Sequence, residues 1–312
     1  MKFGFCLPHD GELSQPGNLT ELGQHAEKLG FHTLIEPSDH LVMPRQIATT
    51  YPYSTSGDYT DSRSDLDQAT TLSFVAARTN KIRLMTGIAV IPYRSPISWA
   101  NTLATVDYLS GGRLDIGAGV GWMKEEFDIL RVPFAQRGEI MDEYLGVMKK
   151  IWTEANPTFK GKYFQFSDAS FSPTVLQKPH PPIWIGGEST RAIRRAAELG
   201  DGWFPIDGNP KFPLSRAHQL EEGILRLKAQ VEKAGRKADD VKVGFLSQSF
   251  QMSNESAEGR ELLVGDPGKI VADIEKMEKL GVSFIGLSFL GDTVESTKKY
   301  SEEFVREILS KF

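Results

Sequence analysis

Apolar residues fall along this chain in short continuous runs separated by amphipathic stretches, an alternation regular enough to predict elements. Lys2 to Leu7 reads as a strand ended by Pro8. A helix follows, its start marked by Asn18 with Glu21 three residues on and its stripe by Leu22, Ala26 and Leu29. Gly30 closes it where a left-handed residue is wanted, and Phe31 to Glu36 forms a second strand. The same Leu-Gly punctuation returns at Leu199-Gly200 and Leu280-Gly281, a βα rhythm. Further strands are predicted at Ile82 to Ile91, from Arg113 into Gly117, at Ile183 to Gly187, Gly202 to Pro205, Lys242 to Phe250 and Phe284 to Phe289. Between them lie helical patterns near 66–79, from Ser95-Pro96 to Ser110, and over 137–154, 188–200 and 214–234.

Near-continuous apolar strands alternating with amphipathic helices demand a parallel sheet covered by helices. Eight such units favour a closed α/β TIM barrel, (β/α)8, over an open doubly wound sheet, and 312 residues suit one barrel domain over 1–312. Two stretches break the period: about 41–66, where Tyr51, Tyr53 and Tyr59 sit among Ser, Thr, Gly and Asp, and about 156–182. The first, after strand two, reads as a lid; the second precedes strand five.

Composition narrows the function classes. The hydrophobic fraction of 40% and charged fraction of 25% are those of a soluble globular protein. A net charge of −5 with no basic block longer than Lys149-Lys150 or Arg194-Arg195 argues against a nucleic-acid partner and for small molecules. No apolar run approaches the roughly 18 residues of a membrane span, and the N-terminus lacks a signal-peptide layout, so no membrane partner and a cytoplasmic location are expected. Cys6 alone allows no internal disulfide, and the six histidines include no pair at metal-ligand spacing, so no metal site is expected. No Gly-x-Ser-x-Gly elbow is present.

Barrel active sites lie at the C-terminal ends of the strands, which selects the candidates. Asp39-His40 follows strand two and puts an imidazole over the mouth, with a carboxylate beside it to fix its tautomer. Strand four runs into Gly117, Gly119 and Gly121, with Val120 and Trp122, where backbone can approach a planar ligand without a Cβ in the way. Gly186-Gly187-Glu188-Ser189 joins strand five to a helix start that suits a phosphate, or in which Ser189 simply caps the helix.

Together with Glu125-Glu126-Phe127, Pro133-Phe134, Arg137-Gly138, Pro182 to Gly187 and Asp201-Gly202-Trp203, these pieces resemble the luciferase-like monooxygenase superfamily, most closely its coenzyme F420-dependent oxidoreductases. The resemblance implies a barrel that holds a deazaflavin (coenzyme F420), or alternatively FMN, in its mouth. It also implies a non-prolyl cis peptide at Gly87-Ile88, a phosphate end at Gly186, Gly187 and Ser189, and Trp122 and Glu126 near the cofactor tail or helix start. His40, oriented by Asp39, would handle the proton while hydride passes to or from a small organic substrate. With FMN the expected activity is a monooxygenase using reduced flavin and O2, and a homodimer is expected in either case. Pro44 and Val120 depart from the pattern of the sugar-phosphate dehydrogenases of that branch. A hydrolase or isomerase on the same barrel and a non-catalytic flavin-binding barrel are the rival readings.

Overall fold

The computed structural model describes residues 1–59, 65–253 and 261–312. Eight parallel strands close into a barrel in chain order: β1 (Lys2–Cys6), β2 (Thr33–Glu36), β3 (Arg83–Val90), β4 (Leu114–Gly119), β5 (Ile183–Gly186), β6 (Gly202–Phe204), β7 (Lys242–Ser247) and β8 (Val282–Leu287). Strand β8 pairs back onto β1, Lys2 opposite Phe284. Outside run the helices α1 (Pro16–Leu29), α2 (Gln68–Ala76), α3 (Pro96–Ser110), α4 (Lys124–Ile129), α5 (Arg137–Thr153), α6 (Thr190–Leu199), α7 (Ala217–Lys233), α8 (Pro267–Leu280) and α9 (Val294–Glu307). No helix among the described residues is long and apolar enough to cross a membrane.

The strands alternate their side chains between two apolar compartments. Phe5, Leu34 and Leu84 join the large core between sheet and helices, while Cys6, Ile35 and Met85 fill the barrel lumen with Trp184, Phe204 and Phe284. Because the lumen is packed with aromatic and branched side chains, a ligand has room only above it, at the strand ends.

Several boundaries differ from the sequence reading for local reasons. Helix α1 begins at Pro16 rather than Asn18: proline fits the first helical position, and the Asn18 amide turns back to the Glu12 carbonyl at 2.9 Å. Gly30 and Gly281 are left-handed caps as expected, with φ of 88° and 102°. Gly200 is extended instead, at φ −90°, and a Cβ there would meet Ile185 at 2.9 Å. Ser95 stands at the N-cap of α3, but its hydroxyl makes no capping bond; Pro96 alone opens the helix. The 156–182 excursion carries a small antiparallel ribbon, Phe159–Lys160 with Gln165–Phe166. In the 41–66 stretch, residues 60–64 lie outside the described residues.

Candidate active site

Strand β3 carries the first device. Its register against β4 shifts between Thr86 and Ala89, and the Gly87-Ile88 peptide within this bulge is cis. The bulge sends Ile88 into the barrel, where it packs on the lumen cluster as a half-buried cap. The glycines of β4 and β5 answer to that side chain. A Cβ at Gly119 would stand 2.1 Å from Ile88 Cδ1, one at Gly186 would stand 2.7 Å from the same atom, and one at Gly117 would strike the Thr86 carbonyl oxygen at 2.0 Å. The arch thus has a role inside the protein itself: Gly119 and Gly186 leave room for Ile88, and Gly117 for the Thr86 carbonyl, so that Ile88 lies over the lumen cluster at the strand ends.

Helix α4 supplies the second device through two adjacent acids. The His40 Nδ1–H donates to Glu126 Oε2 at 2.7 Å, and the Tyr93 hydroxyl donates to the same oxygen at 2.9 Å. The other Glu126 oxygen accepts the backbone N–H groups of Leu41 and Val42 at 2.7 and 3.2 Å. Glu125 does the same for Ala48 and Thr49, both at 2.9 Å. One short helix thus anchors both the imidazole and the loop beyond it. Burial alone would lower the His40 pKa, but the Glu126 hydrogen bond and charge outweigh it and hold the ring above its ordinary 6.5. With Nδ1 committed to Glu126, Nε2 is the ring nitrogen left for any further donor or acceptor role.

Asp39 does not orient His40, contrary to the sequence reading. Its carboxylate is buried and spent on Arg94, at 2.8 and 3.0 Å, and on the Val90 N–H at 2.6 Å. Adjacent residues on an irregular segment point apart, and Asp39 ties the end of β3 to the end of β2. Glu126 takes the orienting role. Its signal in the sequence is an acid in the first turn after the glycine arch, which the resemblance sets near the cofactor tail or a helix start and not beside His40.

Rings from the described part of the 41–66 stretch and from the turn after β4 surround this pair. Tyr59 and Trp122 lie 5.4 and 6.2 Å from the His40 centroid, and Tyr51 contacts Trp122 at 4.9 Å. Tyr53 lies farther across the mouth, its phenol held well above its usual pKa by burial and then by the charge of Glu188.

At the other end of the arch, Gly187 takes φ 97° and turns the chain into α6. The Ser189 hydroxyl accepts from the Ala192 N–H at 3.2 Å, the capping role left open by the sequence, and Thr190 and Arg191 keep N–H groups without a partner in the helix. Glu188 turns aside from that helix start. It is buried, accepts from the Ile206 N–H at 3.0 Å and the Asn209 amide at 2.9 Å, and burial pushes its carboxyl up to about 7. Arg137 joins the two ends: it donates to the Gly121 carbonyl at 3.2 Å, stacks on Phe134 at 3.9 Å, and feels the charges of Arg191 and Arg195. The sequence reading assigned Arg137 no role; an arginine opening a helix is uninformative until α5 and α6 are brought together.

A family model described as luciferase-like monooxygenase matches residues 1–263. The FMNH2-dependent dimethylsulfone monooxygenase of Pseudomonas putida is 31% identical over 245 residues, 76% of this chain and 58% of that protein. An uncharacterized protein of Mycobacterium tuberculosis is 32% identical over 182 residues, 57% of this chain and 64% of the other. The chain therefore spans less than two thirds of the length of either relative. Among solved structures, monooxygenase RslO1 from Streptomyces bottropensis matches with a TM-score of 0.76 at 22% identity, covering 100% of this chain and 99% of that one. The coenzyme F420 dependent tetrahydromethanopterin reductase of Methanopyrus kandleri matches equally, TM-score 0.76 at 20% identity, with the same coverage. At those identities the likeness concerns the fold. Barrel, bulge and residue match agree, and the chain belongs to the luciferase-like monooxygenase family.

Proposed function

We propose that this protein is an oxidoreductase that exchanges a hydride between the deazaflavin coenzyme F420 and a small organic substrate in the barrel mouth, with His40 moving the accompanying proton. The observation that carries the reading is the imidazole anchored through Nδ1 by Glu126, which leaves Nε2 as an acid and base beneath an aromatic roof. When bound, the deazaflavin supplies the hydride chemistry; the residues around it bind, orient and exclude water. The fit rests on two observations. Ile88 offers a flat apolar floor for a ring, and the free N–H groups of Thr190 and Arg191, with Arg137 and Arg191, favour an anionic tail.

A second reading has its own support. The dimethylsulfone monooxygenase of Pseudomonas putida is described as FMNH2-dependent, and the same floor and helix start suit FMN. Titrating apoprotein with each cofactor, followed by absorbance and fluorescence, decides between them. Tight binding of coenzyme F420, at about micromolar or better, supports the first reading and tight binding of FMN the second. Binding of neither overturns both. Two copies of the chain in the working form, and a cytoplasmic setting, belong to the same proposal; Tyr108 and Leu109, exposed at the end of α3, suit such a contact.

A further inference from the structure

Buried polar groups in a folded protein nearly always find partners, so a place where several do not is informative. Among the described residues, eight buried side-chain polar atoms have no hydrogen-bond partner, and six of them gather at one place. They are His9 Nδ1, both oxygens of Glu36, both oxygens of Asp65 and Gln68 Oε1. These residues stand just past β1, at the end of β2 and at the start of α2, stitched together by backbone: Leu66 N–H donates to the His9 carbonyl at 3.2 Å and the Gln68 amide to the Glu36 carbonyl at 2.8 Å. Five of the six atoms are oxygens that can accept a hydrogen bond.

The charge count points the same way. Glu36 feels Asp65, Asp39 and Asp67, and Asp65 feels Asp10. Arg94 is committed to Asp39 and Asp67, which leaves Glu36 and Asp65 with no strong cation among the described residues. His9 reaches Asp65 only at 3.7 Å, His40 faces it from the mouth side, and Ser38 approaches both acids, its N–H toward Glu36 and its hydroxyl toward Asp65, without completing a hydrogen bond to either. No three of the histidine, cysteine, aspartate and glutamate side chains among the described residues converge as a metal site, so an inorganic cation does not match the geometry. Burial pushes the Glu36 carboxyl well above its usual range, and burial with the charge of Glu36 pushes the Cys6 thiol up to about 12, as a niche short of positive charge requires. The rings of Tyr59 and Trp122 beside His40 offer a surface for carbon.

We propose that the niche formed by His9, Glu36, Asp65 and Gln68 is a substrate subsite that receives a protonated primary amine, so that the substrate class is an alkylamine whose carbon chain extends toward His40. The proposal deepens the oxidoreductase reading by naming the substrate chemistry of that mouth. An ammonium group brings three donors and a positive charge, and it can satisfy Glu36 and Asp65 together where a hydroxyl, with one hydrogen, cannot.

The test uses full-length protein without added cofactor and three probes of one shape: butylammonium chloride, 1-butanol and sodium butyrate at matched ionic strength. Binding is read by calorimetry and by thermal shift. Butylammonium should bind at least about tenfold more tightly than either other probe, and Glu36→Gln and Asp65→Asn should each weaken it by about tenfold. Equal binding of butanol or butyrate overturns the proposal, as does wild-type affinity in a folded Glu36→Gln protein. If either variant fails to fold, the three-probe comparison on the unaltered protein decides alone. Because no cofactor is present, failure here is distinct from failure of cofactor binding.

Discussion

At the end of the barrel where the strands begin, the buried and half-buried charged groups Glu27, Arg83, Arg113 and Asp115 are fully engaged. Glu27 accepts the backbone N–H groups of Asn80, Lys81 and Ile82, Arg113 donates to the carbonyls of Ala76, Thr79, Ile82 and Ser110, and Arg83 grips Asp115 with two hydrogen bonds of 2.6 and 3.0 Å. A groove of about 500 Å³ opens there, between Phe3, His32 and Phe312, and of the charges along it Glu27 and Arg83 are already occupied. The end where the strands finish is built differently. Glu126 and Asp39 are fully used, yet the carboxylate oxygens of Glu36 and Asp65 and the amide oxygen of Gln68 beside them are buried without a hydrogen bond. Both ends close the same sheet, so the contrast is one of purpose: one end holds the barrel shut, and the other keeps unsatisfied polar groups that cost stability unless something fills them.

The largest test of that contrast is His40→Ala. Removing the proton carrier should lower kcat/KM with the cofactor that binds by about 10² to 10⁴-fold while leaving cofactor affinity nearly unchanged, and should lower the melting temperature, because the buried Glu126 carboxylate loses its imidazole partner; a loss confined to KM would break the assignment. At the opposite end, Asp115→Ala strands the partly exposed Arg83 guanidinium and should cost about 2 to 3 kcal/mol in urea unfolding, with kcat/KM of the folded protein unaltered.

Glu126→Gln comes next. It keeps the shape but loses the charge that holds the His40 proton, so activity should fall about 10 to 100-fold and the His40 limb of the pH profile should move to lower pH. The sign follows from a raised folded-state pKa: the stabilisation is fully present below the unfolded value near 6.5 and is lost as pH climbs through the folded value, and the variant lacks it. Asp39→Asn should move that limb in the same direction but by less than Glu126→Gln, since Asp39 acts on His40 only through its charge and spends its hydrogen bonds on Arg94 and the Val90 N–H. The smallest effect is expected for Glu36→Gln without ligand. A carboxyl whose folded pKa is raised favours folding less as pH rises above its unfolded value near 4.5, so the amide should melt slightly higher than the acid at pH 8, by about 1 kcal/mol or less. A marked loss of stability instead would show that Glu36 belongs with the saturated end.

Much of the fold was legible in the chain. The apolar runs of β1 to β8 and the glycine caps at Gly30 and Gly281 follow from local periodicity and backbone preference, which need no tertiary context. Position after a strand sufficed to nominate His40, and the run of glycines sufficed to mark the mouth. Three things were decided elsewhere. The neighbour of His40 that matters is Glu126, 86 positions away, not Asp39 beside it, because only the packing of α4 against the end of β2 brings that carboxylate within 2.7 Å. Gly119 and Gly186 make room for Ile88 and Gly117 for the Thr86 carbonyl, since a bulge in β3 moved those atoms into their space. The unpartnered niche could not be read at all: in sequence Glu36, Asp65 and Gln68 are ordinary polar residues, and only burial turns a missing partner into a signal. Sequence determines which elements form, through interactions a few residues long; which charges meet, and which are left alone, is set by distances that exist only once the barrel has closed.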